Sequence, residues 1–207
     1  MKRLLLARHA ATSATRTAAF PLDEPIAEGC AAAAAGLAEL VRPGAEVLVS
    51  PALRCRQTAT AAGLTARVEP RLAECDFGAW GGRTLAALHA ERPAEVAAWI
   101  ADPAAAPHGG ESLRTFAARV ADWLDEQAGE DGTTLAIAHG GVVKAALVHA
   151  LGAPLDAFWR LDAAPLAVAE LHAHDGRWTV TRSNCPLAAA GRGRIAGAVA
   201  PTAGVGR

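Results

Sequence analysis

The sequence predicts an α/β fold, a three-layer sandwich with a mostly parallel central sheet, helices on both faces and an antiparallel hairpin at one edge. Three observations carry this. Short runs apolar on both faces, Leu4 to Ala7 and again within TTLAIAHGG at 133–141, read as strands covered by helices on each side. They alternate with longer stretches of helical period, the rhythm of a parallel sheet built from βαβ units. Finally, 166–173 and 177–182 flank Asp175 and Gly176, a strong hairpin signal at a sheet edge. At 207 residues the chain can bury one full core and has little room for a second domain.

Taken in order, LLLARHAAT at 4–12 is a strand that ends abruptly in Arg8 and His9. MKRLLLARHA begins like a signal peptide, but its apolar run is too short for one. A polar, proline-punctuated loop at 13–26 leads into a helix over 27–41, stopped by Pro43 and Gly44. That alanine-rich helix is too short to cross a bilayer. A second strand covers 46–49, and SPALRCRQTATAAG at 50–63 starts a helix with Ser50 as N-cap and Pro51 at its first position, which puts Arg54 in the first turn. A short strand at 66–68 precedes an irregular loop at 71–84, whose Gly78, Gly81 and Gly82 accompany Glu74, Asp76 and Trp80.

Two helices, 84–91 and 93–101, are separated by Pro93 and suggest a cap over the sheet, region 84–110. HGGESLRTF at 108–116 opens a further helix of regular apolar period to about Gln127, with Glu111 at the end that suits a carboxylate. The segment 133–152 then repeats the opening design, so His139 holds a position like that of His9. The domain is expected to span 1–187, and the Gly, Ala, Pro and Arg of 188–207 read as a weakly ordered tail.

A net charge of −1 and a pI near 6.7 provide no basic face for nucleic acid and no polybasic segment for membrane lipid, so the expected partner is small. Cys30, Cys55, Cys75 and Cys185 form no C-x-x-C pair and read as reduced thiols in a cytoplasmic protein. His172 and His174 share a strand face without an evident third ligand, which argues for a solvated edge over a metal site. Trp99, Trp123 and Trp159 are expected to pack the core or cap, and Trp80 is a candidate pocket wall. His108 adjoins the GGES turn and is a candidate substrate contact, while His89 and His149 read as ordinary helix residues. The apolar hairpin edge could pair with a second subunit in a homodimer.

Arg8 with His9, Arg54, Glu74 and His139 all fall at strand ends, helix starts or loops, where parallel sheets bind ligands. Any one of them could be an ordinary surface residue. Gathered together, two guanidiniums and two imidazoles make a poor core and a good pocket for a tetrahedral dianion. The arginine forks match phosphate oxygens, and the helix-start amides after His139 add donors at Gly140. A neutral imidazole there can attack phosphorus and hold the phosphoryl group covalently. An acid must then protonate the departing alkoxide, and Glu74 is the candidate, kept protonated by burial beside Phe77 and Trp80.

The motifs also resemble a known family. ARHAAT resembles the R-H-G-x-T signature of the histidine phosphatase superfamily, also called phosphoglycerate mutase-like. SPALRCRQTA resembles its second block, ECDFGAWGG its acid-bearing loop, HGGES its later turn and IAHGGVV its second histidine block, all in the family's order. The resemblance implies the phosphoglycerate mutase-like fold, a phosphoryl-accepting His9, a pocket of Arg8, Arg54 and His139, and Glu74 as proton donor. It also implies substrate contacts at Thr12, Thr15 and Gly140, and no metal or other cofactor. G-x-W followed by Gly looks like the phosphatase branch, including the α-ribazole phosphatases. The expected activity is therefore a metal-independent phosphomonoesterase acting on a small phosphorylated metabolite. The alternatives are a phosphoglycerate mutase or a phosphate-binding scaffold without turnover. Ala10 replaces the family's usual Gly, and Thr15 stands where many members have Asn.

Overall fold

A computed structural model describes residues 1–187. The expected tail at 188–207 lies outside the described residues. Six strands, β1 (Lys2–Arg8), β2 (Glu46–Val49), β3 (Arg67–Val68), β4 (Gly132–Ala138), β5 (Val168–His174) and β6 (Arg177–Cys185), form one sheet in the order β3-β2-β4-β1-β5-β6. The first four pair in parallel, and β5 and β6 add the antiparallel edge hairpin. Its turn places Asp175 and Gly176 at φ of 49° and 72°, the left-handed pair that a two-residue hairpin turn requires.

The helices are α1 (Ser13–Thr17), α2 (Ala31–Ala34), α3 (Leu53–Ala61), α4 (Leu85–Glu91), α5 (Pro93–Ala101), α6 (Leu113–Ala128) and α7 (Gly140–Ala150). Side chains alternate across each strand, so Leu4 and Leu6 of β1 and Ala136 and Ala138 of β4 enter one core with α6 and α7. Leu5, Ala7, Leu135 and Ile137 enter another with the α2 segment and α3. This two-sided burial is why the strand sequences are continuously apolar. A third cluster, Phe20, Trp80, Leu88, Val96 and Trp99, joins the first loop to α4 and α5.

Two local expectations need correction. The helix expected over 27–41 is α2 continued as a 3-10 helix over Ala35–Leu40. Ala34, Leu37 and Leu40 are the buried residues, and their spacing of three matches the 3-10 repeat better than the α-helical one. Helix α3 begins at Leu53, with neither Ser50 as its cap nor Pro51 inside it. The Leu53 amide instead donates to Asp23 of the first loop at 2.7 Å, a long-range cap that leaves the Ser50 hydroxyl for another partner. Glu111 lies just before the Ser112 cap of α6 and pairs with Arg119 at 2.7 Å.

Candidate active site

Sheet register brings the histidines together. Arg8 of β1 pairs with Ala138 of β4, so the next residues, His9 and His139, leave adjacent strands side by side. The His9 amide donates to the Ala138 carbonyl at 2.9 Å, and the Ser50 amide, just beyond β2, donates to Ile137 at 3.0 Å. The two imidazoles lie edge to face with centroids 5.3 Å apart. Arg54, held in the first turn of α3, reaches both: Nε donates to His9 Nε2 at 3.3 Å and a terminal nitrogen to His139 Nδ1 at 3.1 Å. Its other terminal nitrogen donates to the Leu22 carbonyl at 2.9 Å. His9, Arg54 and His139 are 4%, 4% and 0% exposed.

These contacts fix the tautomers. An arginine N–H can only donate, so His9 Nε2 and His139 Nδ1 both carry lone pairs. His9 Nδ1–H then donates to the Ala10 carbonyl at 2.7 Å, and His139 Nε2–H to the Ser50 hydroxyl at 2.7 Å. Burial lowers the His9 pKa to about 3; the Ala10 carbonyl opposes the shift, and Arg54 and Arg8 add to it. Burial, with Arg54, likewise holds His139 well below the usual histidine range. Both rings are therefore neutral near pH 7, and the His9 Nε2 lone pair is engaged by Arg54.

Arg8 supplies a second guanidinium. One terminal nitrogen donates to the Ala163 carbonyl at 2.6 Å, while its buried Nε has no partner among the described residues. Ala10 lies outside the left-handed region, so its methyl causes no backbone strain; its amide donates to Thr58 Oγ1 at 3.0 Å.

Glu74 arrives from the irregular loop, which is laced to the HGGES turn. The Ala79 amide donates to the His108 carbonyl at 2.9 Å, and the Glu111 amide to the Asp76 carbonyl at 2.8 Å. Gly78 (φ 44°) and Gly110 permit that approach, because a Cβ on either would run into the opposite backbone. The Glu74 carboxyl accepts from the Cys75 amide at 3.0 Å and the Gly141 amide at 3.3 Å. Burial raises its pKa, against the Cys75 amide, Arg54, the Gly141 amide and Arg8. A Cβ on Gly141 would collide with Glu74 Oε1, so the second glycine of IAHGGVV is a steric requirement of the acid's position.

Glu74 and Cys75 line two cavities in common. One of about 270 Å³ is lined on its polar side by Arg8, Glu74, Gly140, Lys144 and Asp162, with Phe77, Trp99, Phe158 and Trp159 among its apolar walls. The other, about 350 Å³, lies against Leu22, Asp23, Ser50 and Arg54. Gly140 is on the first wall, whereas Thr12 and Thr15 line neither cavity, and His9 and His139 lie buried behind the Arg8 and Arg54 walls. Those two close a reciprocal capping box at the start of α1, the Thr15 hydroxyl accepting from the Thr12 amide at 2.8 Å. Trp80 is fully buried in the third cluster against Phe20 and His108 and lines neither of these cavities. His108, 2% exposed, accepts from the Gly110 amide through Nδ1 and lines neither cavity. Trp99 and Trp159 are walls, beyond the core or cap packing expected of them. Sequence reasoning missed Ser50, Lys144 and Asp162. Ser50 followed an apolar strand, as His9 and His139 do, and that was the available signal; Lys144 lies four residues beyond Gly140, on the same helix face.

Together, a doubly wound sheet and a cluster of guanidiniums around neutral imidazoles at its carboxyl edge define an α/β protein built to hold a small oxyanion. The chain belongs to the histidine phosphatase superfamily (branch 1), whose sequence profile matches residues 4–186. It is 31% identical to a glucosyl-3-phosphoglycerate phosphatase of Mycolicibacterium vanbaalenii, over 75% of this chain and 77% of that protein. The structure of a mycobacterial glucosyl-3-phosphoglycerate phosphatase in complex with VO3 superposes with a TM-score of 0.78 at 28% identity, covering 89% of this chain and all of that one. The α-ribazole phosphatase of Shigella flexneri shares the fold, with a TM-score of 0.75 at 24% identity over 88% of this chain and 96% of that one. The chain spans about half (53%) the length of three further mycobacterial relatives that are 34% identical to it.

Proposed function

We propose that the protein is a phosphomonoesterase that hydrolyses a small phosphorylated metabolite through a phosphohistidine on His9. The observation that carries this reading is the neutral His9 Nε2 lone pair, buried beside the Arg54 and Arg8 guanidiniums. Arg8 and Arg54 bind the equatorial oxygens of the ester, with Gly140 and His139 completing the pocket. In exchanging protein contacts for phosphate oxygens, Arg54 frees Nε2 to attack. The N–P bond forms as the ester P–O bond breaks, and the Glu74 carboxylic acid gives its proton to the departing alkoxide. Glu74, now a carboxylate, takes a proton from water as the water attacks the phosphohistidine, releasing phosphate and restoring both residues. The phosphatase names of the relatives support hydrolysis over phosphoryl return. The free thiols Cys30, Cys55, Cys75 and Cys185 suit a reducing cytoplasm.

Rapid acid-free quenching of the protein with a ³²P-labelled phosphomonoester tests the reading. Label that is stable in base, labile in acid and absent from His9→Ala is expected, together with release of free phosphate by the wild type. Undiminished phosphate release by His9→Ala would overturn it.

A further inference from the structure

Glu74 is the one member of the site without a regular element of its own. Arg8 and His9 end a strand, Arg54 sits in α3 and His139 caps α7, whereas Glu74 lies in irregular chain between the 3-10 turns Pro70–Leu72 and Gly78–Trp80. Its position is supplied from α6. One terminal nitrogen of Arg119 donates to two carbonyls just before the acid, Arg71 at 2.7 Å and Ala73 at 3.1 Å. The Ala73 carbonyl shares its peptide plane with the Glu74 Cα, so that bond fixes the plane from which the acid projects. The other edge of the guanidinium faces Glu111, Nε to Oε1 at 3.1 Å and the second terminal nitrogen to Oε2 at 2.7 Å, a planar two-point pair.

Glu111 then holds the far side of the acid. Its carbonyl accepts from the Cys75 thiol at 3.2 Å, and its amide donates to the Asp76 carbonyl at 2.8 Å. Arg119 and Glu111, joined to each other, thus bracket Glu74 at residue 73 on one side and at residues 75 and 76 on the other. One turn earlier on α6, the Phe116 ring centroid is 5.1 Å from the Arg119 guanidinium carbon, and the same ring backs Gly141, whose amide donates to the Glu74 carboxyl. Neither Arg119 nor Glu111 lines either cavity, so neither is placed to touch substrate.

Resting on the phosphatase reading above, we propose that the Arg119–Glu111 pair is the positioning device of the general acid. Arg119, held flat by Glu111, sets where the Glu74 carboxyl stands relative to the departing oxygen and takes no part in binding the phosphate. A misplacement of about 1 Å at such a group costs on the order of 10²-fold in rate.

The test compares kcat/KM for glycerol 3-phosphate and p-nitrophenyl phosphate in the wild type, Arg119→Met and Arg119→Lys. This ratio covers only the steps through phosphoryl transfer to His9, so the later hydrolysis does not enter. Arg119→Met should lower the value for the alkyl ester about 10- to 100-fold further than for the aryl ester, whose phenolate departs with little protonation. Arg119→Lys can still donate to the carbonyls but lacks the planar fork, and it should recover part of the difference. A pair that merely stabilises the fold would lower both values alike through the folded fraction, so equal losses on the two esters, or no loss, would overturn the proposal. Should Arg119→Met fail to fold, Glu111→Gln decides by the same comparison, because it keeps its backbone bonds and removes only the charge that holds the fork. If the wild type releases phosphate from neither ester and takes no label on His9, the phosphatase reading fails, and amide hydrogen exchange in the folded variant tests the clamp by itself. Faster exchange at 74–77 with 8–10 unchanged supports it; exchange that quickens equally in both segments, or in neither, refutes it.

Discussion

Replacing His9 by Asn should change how stability responds to acid, by an amount the burial of the imidazole sets. In the folded protein His9 remains neutral down to about pH 3, whereas an unfolded histidine protonates near pH 6.5. Below pH 6.5 the unfolded chain therefore binds a proton that the native state refuses, and stability falls as pH falls through the window from about 6.5 to 3. At pH 5 the unfolded imidazole lies about 1.5 units into that window, and at ~1.36 kcal/mol per unit the wild type is penalised by about 2 kcal/mol relative to neutral pH. His139 adds a penalty of the same sign, since its pKa is also depressed by burial. His9→Asn removes only its own share. Urea unfolding of both proteins at pH 7 and pH 5 should show the variant losing about 2 kcal/mol less than the wild type between the two, whatever its absolute stability. Equal losses would mean that His9 protonates in the folded state and that the neutral nucleophile deduced from its contacts is wrong.

Two further expectations concern the acid. Glu74→Gln should slow alkyl phosphates by about 10²- to 10⁴-fold and aryl phosphates far less, because a phenolate departs with little protonation; steady-state rates on the two ester types check this. Gly141→Ala should reproduce that selectivity without touching the acid itself, since the new methyl occupies the space of Glu74 Oε1 and meets the Phe116 ring at 3.2 Å. It should also cost about 1 to 3 kcal/mol of stability from overpacking, measured by the same unfolding assay. An aryl-phosphate rate that falls as far as the alkyl rate would show that the methyl disturbs the phosphate pocket as well.

The sequence by itself determined the layers and the gathering of the main groups. Strands apolar on both faces require helices on both faces, and two strands that each end in His place those residues at the same edge once they pair in parallel register. Asp175 and Gly176 likewise encode their turn locally. What only the tertiary structure decided were the properties arising between distant segments. The Ser50 hydroxyl could as well have capped a helix; it is left to orient His139 because Asp23, 30 residues before Leu53 in sequence, caps α3 in its place. Trp80 and Trp99 share one aromatic cluster with Phe20, and only the assembled packing, with His108 against Trp80, seals the first completely while leaving part of the second on a cavity wall. Proton affinities follow the same rule. Desolvation depends on every atom that excludes water from a group, so the neutrality of His9 and the raised pKa of Glu74 are properties of the assembled interior and cannot be read from neighbours along the chain.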